Sequence, residues 1–147
     1  MSNLLRPEGL AGCFRCAYVW RPRSPEPERC PRCKSKLWDV PRLRAVRFGR
    51  GMGVREILLP HRETVIRLLR ECKARNARVF GSVARREANR TSDIDLLVDF
   101  DPDASLLDQI ELKDQLESLL RRKVDLVEPN GLHWLVRPQV LFEATPL

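Results

Sequence analysis

The chain has 147 residues, of which 43% are hydrophobic and 32% charged, a balance typical of a soluble globular protein rather than a disordered or fibrous one. At about 100–200 residues per domain, this length allows one catalytic-sized domain, or one small domain with an appendage. No apolar run exceeds five residues, whereas a membrane span needs roughly 20, and the N-terminus lacks the apolar stretch of a secretory signal. We therefore expect no membrane contact and a cytoplasmic protein.

Positive charge is concentrated in the first third of the chain. Residues 1–55 contain 13 Lys and Arg against 4 Asp and Glu, a net charge of +9, whereas the remainder contains 14 against 16, a net charge of −2. This asymmetry predicts two modules with different partners. The basic module is a candidate for contact with DNA or RNA or for docking on an acidic protein surface, and a merely solubilising basic face is the alternative.

Four of the five cysteines form two pairs near the N-terminus, with the spacing Cys13-x2-Cys16-x13-Cys30-x2-Cys33. One tight turn can direct both thiolates of a pair to the same ion, and two such turns complete a tetrahedral zinc site. Disulfides are disfavoured in the reducing cytoplasm. The cysteines therefore predict a structural Zn²⁺ site.

The segment around the cysteines is rich in proline and arginine, which predicts a turn-rich module with short strands. The sequence CFRCAYVWRPRSPEPERCPRCKSKLWDVPR resembles a small bacterial and archaeal zinc ribbon. Its aromatic residues Tyr18, Trp20 and Trp38 either form a miniature core around the metal or stack on nucleic-acid bases.

Three glycines at positions 49, 51 and 53 mark the predicted domain boundary. We predict a zinc ribbon over residues 1–47, a flexible linker over 48–56 and a second domain over 57–147. Apolar periodicity in the second domain predicts an α+β fold with a small mixed sheet. Its predicted elements are a helix over 57–76, strands over 78–80 and 93–100, a helix over 105–120, a strand over 123–127 and a C-terminal helical stretch.

Two carboxylates stand out in the segment GSVARREANRTSDIDLLVDF, which covers residues 81–100. Residues i and i+2 of a strand share one face, so Asp93 and Asp95 project together while Ile94 and Leu96 enter the core. Adjacent like charges favour a divalent cation such as Mg²⁺ between them. Asp125, flanked by apolar residues in the next predicted strand, supplies a third carboxylate.

The Gly81-Ser82 pair ends a predicted strand, where glycine permits close backbone approach and serine offers a hydroxyl group. Such a turn suits the terminal phosphates of a nucleotide. Ser82 is not predicted to be a nucleophile, because no histidine lies nearby in the sequence.

The pattern Gly-Ser, ten residues, Asp-x-Asp and a later strand aspartate resembles the nucleotidyltransferase superfamily related to polymerase beta. The stretches GSVARREA and SDIDLLVDF resemble in particular the minimal nucleotidyltransferases, the MntA-type antitoxins paired with HEPN toxins. Arg86 stands where family members commonly have glycine. The resemblance implies the nucleotidyltransferase fold and a site with two Mg²⁺ ions held by Asp93, Asp95 and Asp125, and ATP phosphates held by Gly81, Ser82 and Arg85.

The resemblance also implies an activity, the transfer of AMP from ATP to a tyrosine of a partner HEPN RNase, which is thereby inactivated. Two alternatives are an antitoxin that neutralises its toxin sterically without catalysis and an aminoglycoside-type enzyme acting on a small molecule. About 90 residues leave little protein for a small-molecule pocket. The apolar C-terminal stretch over residues 131–147 either contributes to the partner contact or packs on the sheet.

Overall fold

The computed structural model describes residues 9–147, so the first eight residues of the predicted ribbon lie outside the described part. The chain forms two compact units. The ribbon unit runs to Arg44 and includes Leu132–Phe142, and the sheet unit comprises Ala45–Gly131 and Glu143–Leu147. This division differs from the predicted one, because residues 132–142 belong to the ribbon unit. Within residues 9–147, no helix is long and apolar enough to cross a membrane.

The ribbon unit is built on two very short strands, β1 (Ala11–Gly12) and β2 (Val19–Trp20), which pair antiparallel. Trp38 is buried, its indole N–H donates to the carbonyl oxygen of Pro27 at 2.8 Å, and its ring meets Trp20 edge-on at 5.1 Å. The tryptophans therefore belong to the small core around the cysteines, whereas Tyr18 is exposed.

The C-terminal stretch supplies a second aromatic contact within the ribbon unit. Trp134 is buried, and its ring packs edge-on against Phe14 at 5.2 Å. Packing on the sheet, one of the two alternatives for this stretch, does not apply to Trp134. The helix α5 (Arg137–Glu143) follows, with Leu141 and Phe142 exposed near its end.

The sheet unit contains a four-stranded sheet formed by β3 (Ala74–Phe80), β4 (Ile94–Phe100), β5 (Val124–Val127) and β6 (Thr145–Pro146). The strand order is β5-β4-β3-β6, in which β4 and β5 are parallel and the other pairs antiparallel. The predicted α+β class with a mixed sheet is confirmed. Its helices are α1 (Val54–Ile57), α2 (Arg62–Glu71), α3 (Gly81–Ala84) and α4 (Leu106–Leu120), with single 3₁₀ turns at Leu59–His61 and Pro129–Gly131.

The core of the sheet unit consists of apolar side chains from α2, α4 and the central strands. The apolar residues that alternate along the strands and those that recur at helical spacing are buried in one cluster, as these two patterns predict. Its fully buried members include Val65, Val79, Ile94, Leu96, Leu112, Leu116 and Val124.

The first predicted helix is too long in the direction of β3. It ends at Glu71, and Lys73 and Asn76 adopt positive φ values of 55° and 52°. The strand β3 then begins at Ala74, with an irregularity in its pairing to β4 between Arg75 and Arg78. The first half of β3 is polar and irregularly paired, so it lacks the apolar alternation by which a strand is predicted from sequence.

The predicted linker is not a free segment in the structure. The N–H groups of Gly49 and Gly51 donate at 2.8 and 2.7 Å to carbonyl oxygens in the loop that follows α3. A Cβ at either glycine would lie 2.7 Å from a carbonyl oxygen of that loop. These glycines therefore serve a close backbone contact within the sheet unit.

Candidate active site

Adjacent parallel strands bring two of the predicted carboxylates together. Asp95 on β4 is in register with Asp125 on β5, and Asp93 immediately precedes β4. Ile94 and Leu96 are fully buried, which confirms the predicted alternation. Asp95 is half-buried, whereas Asp93 and Asp125 are exposed.

Burial and the neighbouring carboxylates shift the pKa of Asp95 in the same direction. Burial raises the pKa of its carboxyl group, and the negative charges of Asp125 and Asp93 raise the pKa further, while Arg85 lowers it. A divalent cation would relieve both effects. The donors fit Mg²⁺, which prefers carboxylate oxygens and keeps room for waters and phosphates. Among the described residues, the carboxylate oxygens of the three aspartates lie farther apart than the sulfur atoms of Cys13, Cys16, Cys30 and Cys33.

The turn after β3 brings a glycine against this carboxylate. Phe80, the last residue of β3, is in register with Asp95, so Gly81 lies beside it. Gly81 has a φ of +71°, and a Cβ there would collide with the Asp95 carboxylate oxygen. Glycine is therefore required twice, for the backbone conformation and for the approach of Asp95.

The predicted phosphate-binding residues follow on α3, and a residue that was not predicted joins them. The Gly81 N–H donates to Glu143 Oε1 at 3.2 Å, and Arg85 Nη1 donates to both Glu143 oxygens at 3.1 and 3.3 Å. Arg85 Nε donates to Glu87 at 2.9 Å. Among the described residues, the Ser82 hydroxyl has no hydrogen-bond partner.

Sequence reasoning missed Glu143, because nothing in its local sequence distinguishes it from a surface glutamate. Glu143 reaches the site because the strand β6 that follows it pairs with β3, and β6 has only two residues. Strands of that length leave no periodicity to detect.

The structure gathers the four predicted zinc ligands. The sulfur atoms of Cys13, Cys16, Cys30 and Cys33 all lie within 4.8 Å of one another. The Cys13–Cys33 and Cys16–Cys30 sulfur pairs are 3.7 Å apart. That is too far for a disulfide, whereas tetrahedral zinc with Zn–S bonds of about 2.3 Å requires about 3.8 Å between sulfurs. The cluster can therefore hold a zinc ion.

Two thiols of this cluster, Cys13 and Cys30, differ in their pKa values. Burial raises the pKa of Cys13 to about 12. Burial acts in the same direction on Cys30, but hydrogen bonds from the backbone N–H groups of Cys33 and Arg32 outweigh it and lower that pKa to about 7. Zinc binds thiolates, so metal binding must release protons here.

The surface of the ribbon unit is basic. Arg32 lies over the Tyr18 ring at 5.8 Å, and Tyr18 stacks on Trp20 at 6.1 Å. Base stacking on Tyr18 would have to replace these contacts. The other exposed cations of this unit are Arg21, Arg23, Arg29, Lys34, Lys36, Arg42 and Arg44.

Comparison with known proteins places the similarity in the part of the chain that follows the cysteine pairs, which comprises most of the sheet unit and residues 132–142 of the ribbon unit. Residues 64–147 match the family described as a nucleotidyltransferase domain. A protein of Methanocaldococcus jannaschii assigned as a protein adenylyltransferase is 40% identical over 93 residues, which are 63% of this chain and 96% of that protein. Protein adenylyltransferase MntA of Thermococcus cleftensis is 49% identical over 65 residues, or 44% of this chain and 66% of that protein.

A solved structure assigned as a minimal nucleotidyltransferase has 47% identity, covers 67% of this chain and 100% of its own, and superimposes with a TM-score of 0.58. The family match includes the three aspartates, the Gly81 turn, Arg85 and Glu143. It excludes both cysteine pairs.

Proposed function

The chain belongs to the nucleotidyltransferase domain family, and on that premise we propose that it transfers AMP from ATP to a hydroxyl group of a partner protein. The observation that carries this proposal is the register of Asp95 with Asp125 beside the Gly81-Ser82 turn. The relatives named as protein adenylyltransferases favour a protein acceptor over a small molecule.

In this proposal, Asp93, Asp95 and Asp125 hold two Mg²⁺ ions. When bound, Mg²⁺ neutralises charge on the entering and leaving oxygens and makes the acceptor hydroxyl more acidic. Asp125, the more exposed of the two in-register carboxylates, also helps to activate the acceptor hydroxyl.

The phosphates of ATP lie against the turn after β3. The Ser82 hydroxyl and the Arg85 Nη2 group, neither of which is bonded to another described residue, donate to the β and γ phosphates. Gly81 contributes its backbone conformation rather than a phosphate donor, because its N–H is bonded to Glu143. The acceptor oxygen bonds to the α phosphorus, the bond from that phosphorus to the bridging oxygen breaks, and pyrophosphate leaves.

We propose a HEPN-family RNase toxin as the acceptor protein and a tyrosine as the acceptor residue. The supports are the sequence resemblance to the MntA-type antitoxins and the relative that bears that name. Modification of the toxin tyrosine inactivates the RNase, so this chain acts as an antitoxin.

The decisive experiment combines the purified protein with ATP, Mg²⁺ and the protein encoded beside it, followed by intact-mass measurement of both. The wild type is expected to add AMP to the partner, and Asp95→Asn to lose at least about a hundredfold of this rate. Asp99→Asn is the matched control, since Asp99 lies on the same strand and bonds Asn76 and Arg78. Near wild-type transfer by folded Asp95→Asn would show that the site assignment is wrong.

The same measurement separates the alternatives. A toxin neutralised without any gain in mass favours steric occlusion. Modification of a small molecule but not of the partner favours an aminoglycoside-type enzyme.

We also propose that the ribbon unit contacts nucleic acid, namely the DNA of its own promoter. The supporting observation is the set of exposed cations around the cysteine cluster, with few acidic residues among them. Docking on an acidic face of the toxin is the competing use of the same charge.

A further inference from the structure

Glu143 is fixed by strand pairing rather than by its neighbours in sequence. Thr145 is in register with Val79, and Pro146 with Arg78. Antiparallel register therefore places residue 143 opposite residue 81. The Leu147 N–H donates to the Ala77 carbonyl oxygen at 3.1 Å and extends this pairing.

The Glu143 carboxylate is buried and well supplied with donors. Only 8% of the side chain is exposed, against 33% for Arg85 and 47% for Glu87. Its two oxygens accept from the Gly81 N–H and from Arg85 Nη1. A buried carboxylate with charged and neutral donors is a strong, directional contact, whereas the exposed pair with Glu87 is a weak one.

These contacts fix the orientation of the groups that the proposed function assigns to ATP. The guanidinium group is planar, so the hydrogen bonds from Nη1 to both oxygens of Glu143 restrict where Nη2 points. Holding the Gly81 N–H fixes the start of the turn that carries Ser82. Gly81 thus lies between two carboxylates, with its Cα against Asp95 and its N–H on Glu143.

We propose that Glu143 is a positioning residue of the nucleotide site, which acts through Arg85 and the Gly81 turn to hold the phosphate donors in place before ATP binds. This assignment rests on the proposed function. It makes the C-terminal segment Glu143–Leu147 a part of the site, although the proposed mechanism takes no phosphate donor from this segment. The opposite relation, in which the carboxylate competes with phosphate for the same donors, predicts effects of the opposite sign.

The test is the affinity for AMP-PNP, a non-hydrolysable ATP analogue, measured by calorimetry on the full chain with Mg²⁺ and without an acceptor. Glu143→Ala removes both contacts and is expected to weaken binding at least about tenfold. Glu143→Gln keeps an acceptor for the Gly81 N–H and is expected to lose less. Glu87→Gln, which touches Arg85 from the exposed side, is expected to change the affinity less than about threefold.

Thermal melting of each variant separates positioning from simple unfolding, and Glu143→Gln decides the question where Glu143→Ala does not fold. In transfer assays the loss is expected in KM for ATP more than in kcat. Unchanged binding by folded variants would overturn the assignment, and tighter binding would show competition instead. If the wild type itself does not bind AMP-PNP, the proposed function fails and this assignment fails with it.

Discussion

The two units of this chain are stabilised in different ways. The ribbon unit has two strands of two residues each and a core in which Cys13 and Cys30 are themselves buried members. The sheet unit has a continuous apolar core between its helices and strands. So small a core cannot by itself offset the entropy of ordering its loops, so we expect the ribbon unit to need a bound zinc ion for its stability and the sheet unit to need none.

The difference also concerns how each unit relates to its ligand. The four cysteines lie at the centre of the ribbon unit, so we expect zinc binding and folding of this unit to be one process. In the sheet unit the carboxylates lie at the ends of strands that are already held by packing, and Asp95 stays half-buried beside like charges. We therefore expect the metal-free sheet unit to keep its fold despite electrostatic repulsion at Asp95, and the metal-free ribbon unit to lose its fold.

The largest expected effect is the loss of zinc from the ribbon. Cys30→Ser should remove a ligand and unfold the ribbon unit, since structural zinc contributes roughly 10–16 kcal/mol in comparable modules. The signals to follow are zinc content and the near-ultraviolet circular dichroism of Trp20 and Trp38. The AMP-PNP affinity of the sheet unit should change less than about threefold.

Cys72→Ala is the matched control, because Cys72 is buried in the core of the sheet unit. It should leave the zinc content unchanged and cost about 1 kcal/mol of stability. A Cys30→Ser protein that retains both zinc and its tryptophan signal would contradict the dependence of the ribbon on four thiolates.

One glycine in each unit gives the next largest effect. A Cβ at Gly81 would collide with Asp95 at a φ of +71°, and a Cβ at Gly12 would collide with the Trp134 ring. Each Gly→Ala change should destabilise its own unit by about 2–3 kcal/mol. Only Gly81→Ala should also weaken AMP-PNP binding, which can be measured beside thermal melting.

Gly131→Ala controls for the general effect of alanine, because a Cβ there meets no atom within 4 Å and the backbone is not strained. It should change the melting temperature of neither unit. Equal loss of AMP-PNP binding in Gly12→Ala and Gly81→Ala would mean that the two units are not separable in this way.

These contrasts explain what could be read from the sequence. The cysteine spacing and the Gly-Ser and Asp-x-Asp pattern are local, so the clustering of the four cysteines and the elements that carry Asp95 and Asp125 were predictable. Glu143, the bulged half of β3 and the membership of Trp134 in the ribbon unit depend on contacts between residues far apart in the chain. Neither periodicity nor residue spacing records such contacts.

The charge difference between the units gives a smaller effect. If the ribbon contacts nucleic acid through phosphates, replacing the exposed Arg29, Lys34 and Lys36 by alanine should weaken binding to duplex DNA roughly tenfold near 100 mM salt. The slope of log affinity against log salt concentration should fall by about three. Fluorescence anisotropy on promoter and unrelated DNA measures both quantities.

The matched control removes three exposed cations from the sheet unit, Arg67, Lys113 and Arg121. It should leave the salt dependence unchanged. Equal losses in the two triple variants would contradict a ribbon interface, and loss of toxin affinity in the ribbon variant alone would favour docking on the partner.

The smallest effect tests the repulsion stored at the active site. Because the pKa of Asp95 is raised in the folded state, the folded protein binds this proton more tightly than the unfolded chain. Stability in Mg²⁺-free buffer should therefore fall as the pH rises from the ordinary aspartate pKa, about 4, through the raised value. Asp95→Asn removes this loss, so the variant should melt at a higher temperature than the wild type at pH 7, and the difference should shrink towards pH 4.

Mg²⁺ should narrow that difference by stabilising the wild type, because a cation between the carboxylates cancels their repulsion. Acid also displaces zinc from thiolates, so the two proteins are compared at each pH with the ribbon in the same metal state. Asp99→Asn, which keeps an acceptor for Asn76 but loses the negative charge beside Arg78, should instead melt no higher than the wild type. If Asp95→Asn and the wild type melt together at every pH, the carboxylates of the sheet unit store no repulsion, and the contrast with the ribbon fails on this point.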